Sequence, residues 1–160
     1  MLFENAVTKF LESYIGVSSP ATHKWYAKKL KPLSDLNQKP IDKITTDDLQ
    51  EIWSSLAKRN VRWENHPSGR AKAEGALSPF TLEGYVRCWR RLFNWMIEYG
   101  YIGDKNPALK LRRPPLPDLP PKAVTTSNLV KLLEASKGNV RDHAIVCWLA
   151  DTNARVGGTA

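Results

Sequence analysis

Apolar residues recur along this chain every three to four positions, a spacing that places them on one face of an α-helix. The pattern predicts helices over about residues 3–15, 20–31, 46–58, 79–99, 126–137 and 140–150. Few segments alternate apolar and polar residues with a period of two, so we expect no substantial sheet. The stretch 60–77 is polar and contains proline and glycine, which is typical of a loop. The pattern therefore predicts an all-α fold.

Capping residues mark where several of these helices begin. Thr45 and Asp48 have the spacing of a capping box, in which each side chain accepts a hydrogen bond from the other residue's backbone N–H. Ser19 and Ser78 each precede a proline, which suits the first position of a helix. Thr125 is preceded by an apolar residue and followed by another four positions later, the arrangement of a hydrophobic staple. These residues predict helix starts independently of the apolar pattern.

The second and fourth predicted helices each have an apolar face and a basic face. The apolar face of the fourth helix comprises Leu82, Tyr85, Val86, Trp89, Leu92, Phe93, Met96 and Ile97. Its other face carries Arg87, Arg90, Arg91 and Asn94. On the second helix, Lys24, Lys28 and Lys31 fall together, opposite Trp25, Tyr26 and Leu30. Charged faces are usually solvated, but two cationic faces also suit a polyanion.

Several further residues have an expected environment. Four tryptophans fall on apolar stripes and are expected in the core: Trp25, Trp53, Trp89 and Trp148. Trp95 lies away from the centre of its stripe, a position that suits contact with a partner. Cys88 and Cys147 lie within apolar helical patterns, so we expect buried, reduced thiols and no disulfide.

Residues 112–121 contain five prolines, which forbid a regular helix and favour an extended linker. We therefore predict a first domain over residues 1–111, a linker over 112–122 and a second segment over 123–160. Lys and Arg number 24 against 16 Asp and Glu, a net charge of +8, which favours a nucleic-acid partner. No residues have the spacing of a metal site. No signal peptide or membrane-length apolar run is present, which predicts a cytoplasmic protein.

An ordered set of segments resembles the tyrosine recombinase (phage integrase) family. These segments are Ser78–Met96, the Asn106-Pro107 exit after it, Val124–Leu133, Asp142–Thr152 and the final Thr152–Gly158. The resemblance implies a core-binding domain of four or five helices with a SAM-like fold, followed by the helical start of a catalytic domain. It also implies double-stranded DNA as the partner.

The resemblance gives Arg155 the role of the first catalytic arginine in a pattern that usually reads Thr-Gly-x-Arg-x-x-Glu. Asn153 stands where glycine is usual, and Gly158 stands where glutamate is usual. The guanidinium would stabilise phosphate oxygens while a tyrosine attacks the DNA, with no metal or other cofactor. The family's lysine, His-x-x-Arg motif and nucleophilic tyrosine follow this arginine, so we expect the 160-residue chain to bind DNA without cleaving it.

The resemblance also implies which residues contact DNA, since core-binding helices of the family lie across the major groove. The candidates are Lys24, Lys28, Lys31, Arg87, Arg90, Arg91, Asn94, Arg112 and Arg113. Helix-borne lysine and arginine mostly bond phosphates, whereas arginine and asparagine also read guanine and adenine. The parent enzyme would integrate or excise a mobile element as a tetramer on DNA, and the chain alone is expected to be monomeric.

Two other functions fit part of the sequence. A non-enzymatic helix-turn-helix regulator would explain the charge and the helices, but not the proline-rich boundary followed by a second capped domain start. A helical protein-interaction domain would direct its basic face to an acidic partner. Replacing Arg87, Arg90 and Arg91 with glutamate separates these functions. DNA binding would be lost if the chain is either kind of DNA-binding protein, and it would survive if the chain is a protein-interaction domain.

Overall fold

Four of the helices begin immediately after the predicted caps, Ser19, Thr45, Ser78 and Thr125. The computed structural model describes residues 1–62, 73–119 and 123–152. Its helices are α1 (Phe3–Glu12), α2 (Pro20–Leu30), α3 (Thr46–Lys58), α4 (Pro79–Glu98), α5 (Thr126–Ser136) and α6 (Val140–Thr152). Short 3₁₀ turns occupy Lys31–Leu36, Ile41–Lys43 and Pro107–Lys110. The chain divides into two compact units, Met1–Pro117 and Asp118–Ala160.

The capping box predicted for α3 is confirmed. The Thr45 hydroxyl accepts a hydrogen bond from the Asp48 amide, and the Asp48 carboxylate accepts one from the Thr45 amide at 2.7 Å. The ammonium of Lys39 lies 2.6 Å from the same carboxylate. Hydrogen bonds from Lys39 and Thr45 lower the pKa of Asp48. The ionised carboxylate therefore favours the folded state, a contribution that is lost as the pH falls through its lowered pKa.

Helix α4 supplies the largest share of the core of the first unit. Its buried residues are Leu82, Gly84, Val86, Cys88, Trp89, Leu92, Phe93, Trp95 and Met96. Phe3 of α1 stacks on Phe93, with 6.2 Å between the ring centroids. Phe10 of α1 meets the edge of Trp95 at 5.6 Å. Aromatic burial of this kind joins α1 to the C-terminal half of α4 and excludes water from the interior.

Helices α2 and α4 cross at Gly84. A Cβ atom at this position would lie 3.3 Å from both Cε and Nζ of Lys29, so the absence of a side chain makes room for that lysine. The Lys29 ammonium donates to the Thr81 carbonyl at 3.0 Å and lies 3.9 Å from the centroid of the Tyr85 ring. The indole Nε1 of Trp89 donates to the Lys29 carbonyl at 3.0 Å. These contacts fix α2 on α4.

The structure corrects four sequence expectations. The segment predicted as a loop over 60–77 includes a short antiparallel pair, β1 (Val61–Arg62) and β2 (Ala73–Glu74). Trp95 is buried in the core instead of facing a partner, because Phe10, Tyr99 and Tyr101 surround its ring. Trp148 and Cys147 are exposed instead of buried, because the described part of the second unit has no element that covers them.

The second unit contains a pair of packed helices with open apolar faces. Helices α5 and α6 contact each other, but neither has a buried residue. Val130 on α5 and Ile145 on α6 are 50% and 41% exposed. Their amphipathic patterns are therefore only partly satisfied within the described residues.

We expect Trp89→Phe to lower the free energy of unfolding by about 1–2 kcal/mol more than Trp95→Phe. Both substitutions remove the same atoms from α4, but only Trp89 gives its N–H to a backbone carbonyl. The N–H of Trp95 is buried with no partner among the described residues. Urea unfolding followed by circular dichroism measures the difference, and equal losses would contradict the role assigned to the Lys29 carbonyl.

Candidate nucleic-acid interface

The three lysines predicted on the outer face of α2 are exposed. Lys24 and Lys28 lie on the solvent side of the helix, and Lys31 follows it as the first residue of the 3₁₀ turn Lys31–Leu36. In the described part of the chain, none of them forms an ion pair. Their positions follow from the helical period, since the opposite side of α2 packs Leu30 into the core. These lysines therefore retain their full capacity to bind an anion.

Arg87 is the cation of α4 that lies directly beside α2. Its side chain is exposed, and its guanidinium carbon lies 5.4 Å from the centroid of the Trp25 ring. The indole face attracts the guanidinium through a cation–π contact, and the N–H groups of the guanidinium can still bond an anion. No carboxylate pairs with Arg87 among the residues described.

A groove of about 550 Å³ runs between the two helices. Thr22, Trp25 and Tyr26 line it from α2, and Arg87 and Arg91 line it from α4. We call this surface the α2–α4 groove. It combines aromatic walls with two guanidinium groups, a composition that suits an anionic ligand with flat or apolar parts.

Arg91 is held inside the groove by neighbouring side chains. Its Nε donates to the Tyr14 hydroxyl at 3.2 Å, and its Nη1 donates to a Glu98 carboxylate oxygen at 3.0 Å. The Tyr14 hydroxyl lies 3.4 Å from that of Tyr26. The pKa of Tyr26 is raised to about 12, mainly by burial and to a smaller extent by its hydrogen bond with the Tyr14 side chain. Because Glu98 offsets its charge, Arg91 is a weaker anion ligand than Arg87.

Arg90 and Asn94 do not line the groove, although the sequence placed them on the same face of α4 as Arg87 and Arg91. The predicted basic face is therefore divided into two parts. The Arg90 guanidinium donates to the carbonyls of Ala108, Leu109 and Leu111 at 3.1, 2.8 and 2.7 Å. The Asn94 side-chain oxygen accepts from Asn106 at 2.6 Å. These bonds fasten the segment that leaves α4 and give both residues a structural role, because the planar guanidinium fork matches converging carbonyl oxygens.

Asn106 completes this fastening. Its side-chain amide also donates to the Arg90 carbonyl at 3.0 Å, and its oxygen accepts from the Ala108 amide at 2.8 Å. The residue is buried, so these bonds satisfy polar atoms that have left water. Asn106 therefore caps the 3₁₀ turn Pro107–Lys110.

Arg112 and Arg113 follow this turn and are exposed. Nη1 of Arg113 lies 3.9 Å from a Glu83 carboxylate oxygen. Burial lowers the pKa of Arg90, and the charge of Arg113 lowers it further. Arg90 and Arg113 are therefore close enough for their positive charges to repel each other.

Sequence analysis missed Lys29, which lies on neither the apolar nor the basic stripe assigned to α2. Burial lowers the pKa of its ammonium, and the charges of Lys28 and Arg87 lower it further. One cation from each helix, Lys28 and Arg87, therefore acts electrostatically on this buried ammonium. The sequence feature that could have indicated this contact is Gly84, since a glycine inside a predicted helix often marks the close approach of another element.

The remaining predicted residues lie outside the described part of the chain. These are Arg155 and the two positions that depart from the family pattern, Asn153 and Gly158. Among the residues that are described, no group of His, Cys, Asp and Glu could hold a metal ion. None of the described helices has both the length and the apolar content needed to cross a bilayer.

We expect Arg90→Met to lower the free energy of unfolding by about 2 kcal/mol, because it leaves backbone carbonyls without their charged donor. Arg87→Met, the matched control one turn away on α4, removes an exposed guanidinium and should change stability by less than about 0.5 kcal/mol. Chemical denaturation gives both values. Equal effects would show that the Arg90 bonds do not hold the turn.

Comparisons of the chain with protein-family models, with curated proteins and with solved structures find no match.

Proposed function

We propose that the first unit binds double-stranded DNA as the core-binding domain of a tyrosine recombinase. The observation that carries the proposal is the exposed cationic surface formed by α2 and α4. Lys24, Lys28 and Arg87 are exposed on these helices and have no carboxylate partner in the described residues. Cations that the fold leaves unpaired suit the dense negative charge of a phosphate backbone.

Arg87 is the central residue of this proposal. Its cation–π contact with Trp25 reduces the side-chain freedom that binding would otherwise remove. A guanidinium held in this way presents parallel N–H donors, which match either two phosphate oxygens or the O6 and N7 atoms of guanine. Arg87 is therefore our candidate for a contact that depends on the base sequence as well as for one that does not.

The lysines of α2 have a simpler role in the proposal. Lys24, Lys28 and Lys31 present flexible ammonium groups, which act as point charges toward phosphates. Such contacts set the position of the protein on the duplex without reading its sequence. Arg112 and Arg113, at the start of the linker, extend the same electrostatic attraction beyond the helices.

The catalytic part of the proposal rests on the resemblance alone. Arg155 would bind the non-bridging oxygens of the phosphate that is cleaved and stabilise their charge in the transition state. In this family the nucleophile is a tyrosine that follows the first arginine, and it forms a covalent phosphotyrosine. We propose that the parent protein integrates or excises a mobile element in this way, as a tetramer on DNA.

We expect Arg87→Glu to weaken binding to a duplex at least about ten-fold, since it replaces an anion ligand with a repelling carboxylate. Lys43→Glu is the matched control, because it makes the same charge change at an exposed residue that lies on neither helix. A mobility-shift titration compares the two. Equal weakening by both variants would show that net charge, not the α2–α4 groove, determines binding.

The salt dependence of binding tests the three lysines. The logarithm of the association constant should fall linearly with the logarithm of salt concentration, because phosphate contacts release counterions. Each replacement of Lys24, Lys28 or Lys31 by glutamine should reduce the slope by about one unit. Fluorescence anisotropy with a labelled duplex measures it, and an unchanged slope in the triple variant would rule out phosphate contacts by these residues.

A further inference from the structure

The α5–α6 helix pair brings three polar side chains into one hydrogen-bonded chain. Ser136, at the end of α5, has its hydroxyl oxygen 2.9 Å from Nδ1 of His143 on α6. Nε2 of the same imidazole lies 3.7 Å from Sγ of Cys147. Histidine and cysteine are four residues apart, so they share one face of α6. The arrangement is a thiol, an imidazole and a hydroxyl in line.

The direction of the hydrogen bonds follows from one backbone carbonyl. The Ser136 hydroxyl donates its single proton to the Leu133 carbonyl at 3.0 Å. With its proton on that carbonyl, the Ser136 oxygen accepts from His143, the arrangement in which the neutral imidazole carries its proton on Nδ1. Nε2 is left with a lone pair that faces the thiol of Cys147. The imidazole is therefore oriented to accept the thiol proton.

The location of Cys147 makes this thiol available to reagents in solution. Cys147 is exposed, whereas Cys88 in α4 is fully buried. Burial raises the pKa of the Cys88 thiol to about 12, which keeps that residue protonated and unreactive. Cys147 is thus an accessible thiol beside the imidazole of His143, whereas Cys88 is inaccessible.

We infer that Cys147 is a site of reversible modification by low-molecular-weight disulfides, with His143 as its general base. Sγ attacks one sulfur of the disulfide, and a new S–S bond forms as the S–S bond of the reagent breaks. His143 Nε2 takes the proton of Cys147 and returns it to the departing thiolate. The products are a mixed disulfide on Cys147 and one free thiol. Ser136 is a positioning residue that acts through His143.

The inference is independent of DNA binding, because it uses only residues of α5 and α6. The reagent 5,5′-dithiobis(2-nitrobenzoate) is a suitable probe, since it is a small disulfide whose released thiolate is coloured. We expect one thiol of the native chain to react rapidly, and Cys147→Ser to abolish this reaction. Cys88 should react only after denaturation. A native chain in which both thiols react at the same rate would overturn the inference.

Variants of the hydrogen-bonded chain test the role of the base. His143→Gln should slow the reaction of Cys147 at least about ten-fold, because it removes the proton acceptor. Ser136→Ala should slow it as well, and Ser136→Thr, which keeps the hydroxyl, should restore the wild-type rate. Helical content measured by circular dichroism confirms that each variant is folded. A His143→Gln rate within about three-fold of the wild-type rate would contradict general-base assistance.

Oxidised glutathione tests whether the modification is reversible. Incubation with this disulfide should add one glutathione to the native chain by intact mass, and peptide mapping should place it on Cys147. A thiol reductant should remove it. Glutathione on Cys88, or none on the native chain, would overturn the proposed site.

Discussion

The close crossing of α2 and α4 is the contact on which the first unit depends. Gly84 lacks the Cβ that would press on Lys29, and Trp89 reaches across to the carbonyl of that lysine. A buried polar group is costly unless it is hydrogen-bonded, so the Lys29 ammonium is tolerated only because the Thr81 carbonyl and the Tyr85 ring receive it. The same crossing sets Trp25 against Arg87 and thereby shapes the α2–α4 groove.

The cations of this unit divide into those that serve the fold and those that remain for a ligand. Arg90 and Lys29 bind backbone carbonyls, and Arg91 is bonded to Tyr14 and Glu98. Arg87 and the α2 lysines have no carboxylate partner among the described residues. Fewer N–H groups are therefore left to bond an anion directly than the predicted basic faces contain. The proposed DNA-binding surface is smaller and more sharply defined than the predicted basic faces.

Helices α5 and α6 show that amphipathic patterning predicts helices more reliably than it predicts burial. Their caps and periodicity produce two packed helices, yet Ile145 and Trp148 remain 41% and 44% exposed. An apolar stripe is buried only if another element covers it, and no described element of this unit does so. Because this face is uncovered, Cys147 is accessible beside His143. The apolar residues around Cys147 in the sequence had predicted a buried thiol, and that prediction was wrong.

Local interactions determined what the sequence alone could predict. The helix starts at Ser19, Thr45, Ser78 and Thr125 depend on side chains that bond amides three residues away, and the helical period placed Lys24 and Arg87 in solvent. Only the tertiary structure decided that Arg90 fastens Leu111 and that Lys29 is buried at Gly84. Those contacts join residues that are distant in the chain, and a helical face cannot show whether its charged group will meet water or a carbonyl from another segment.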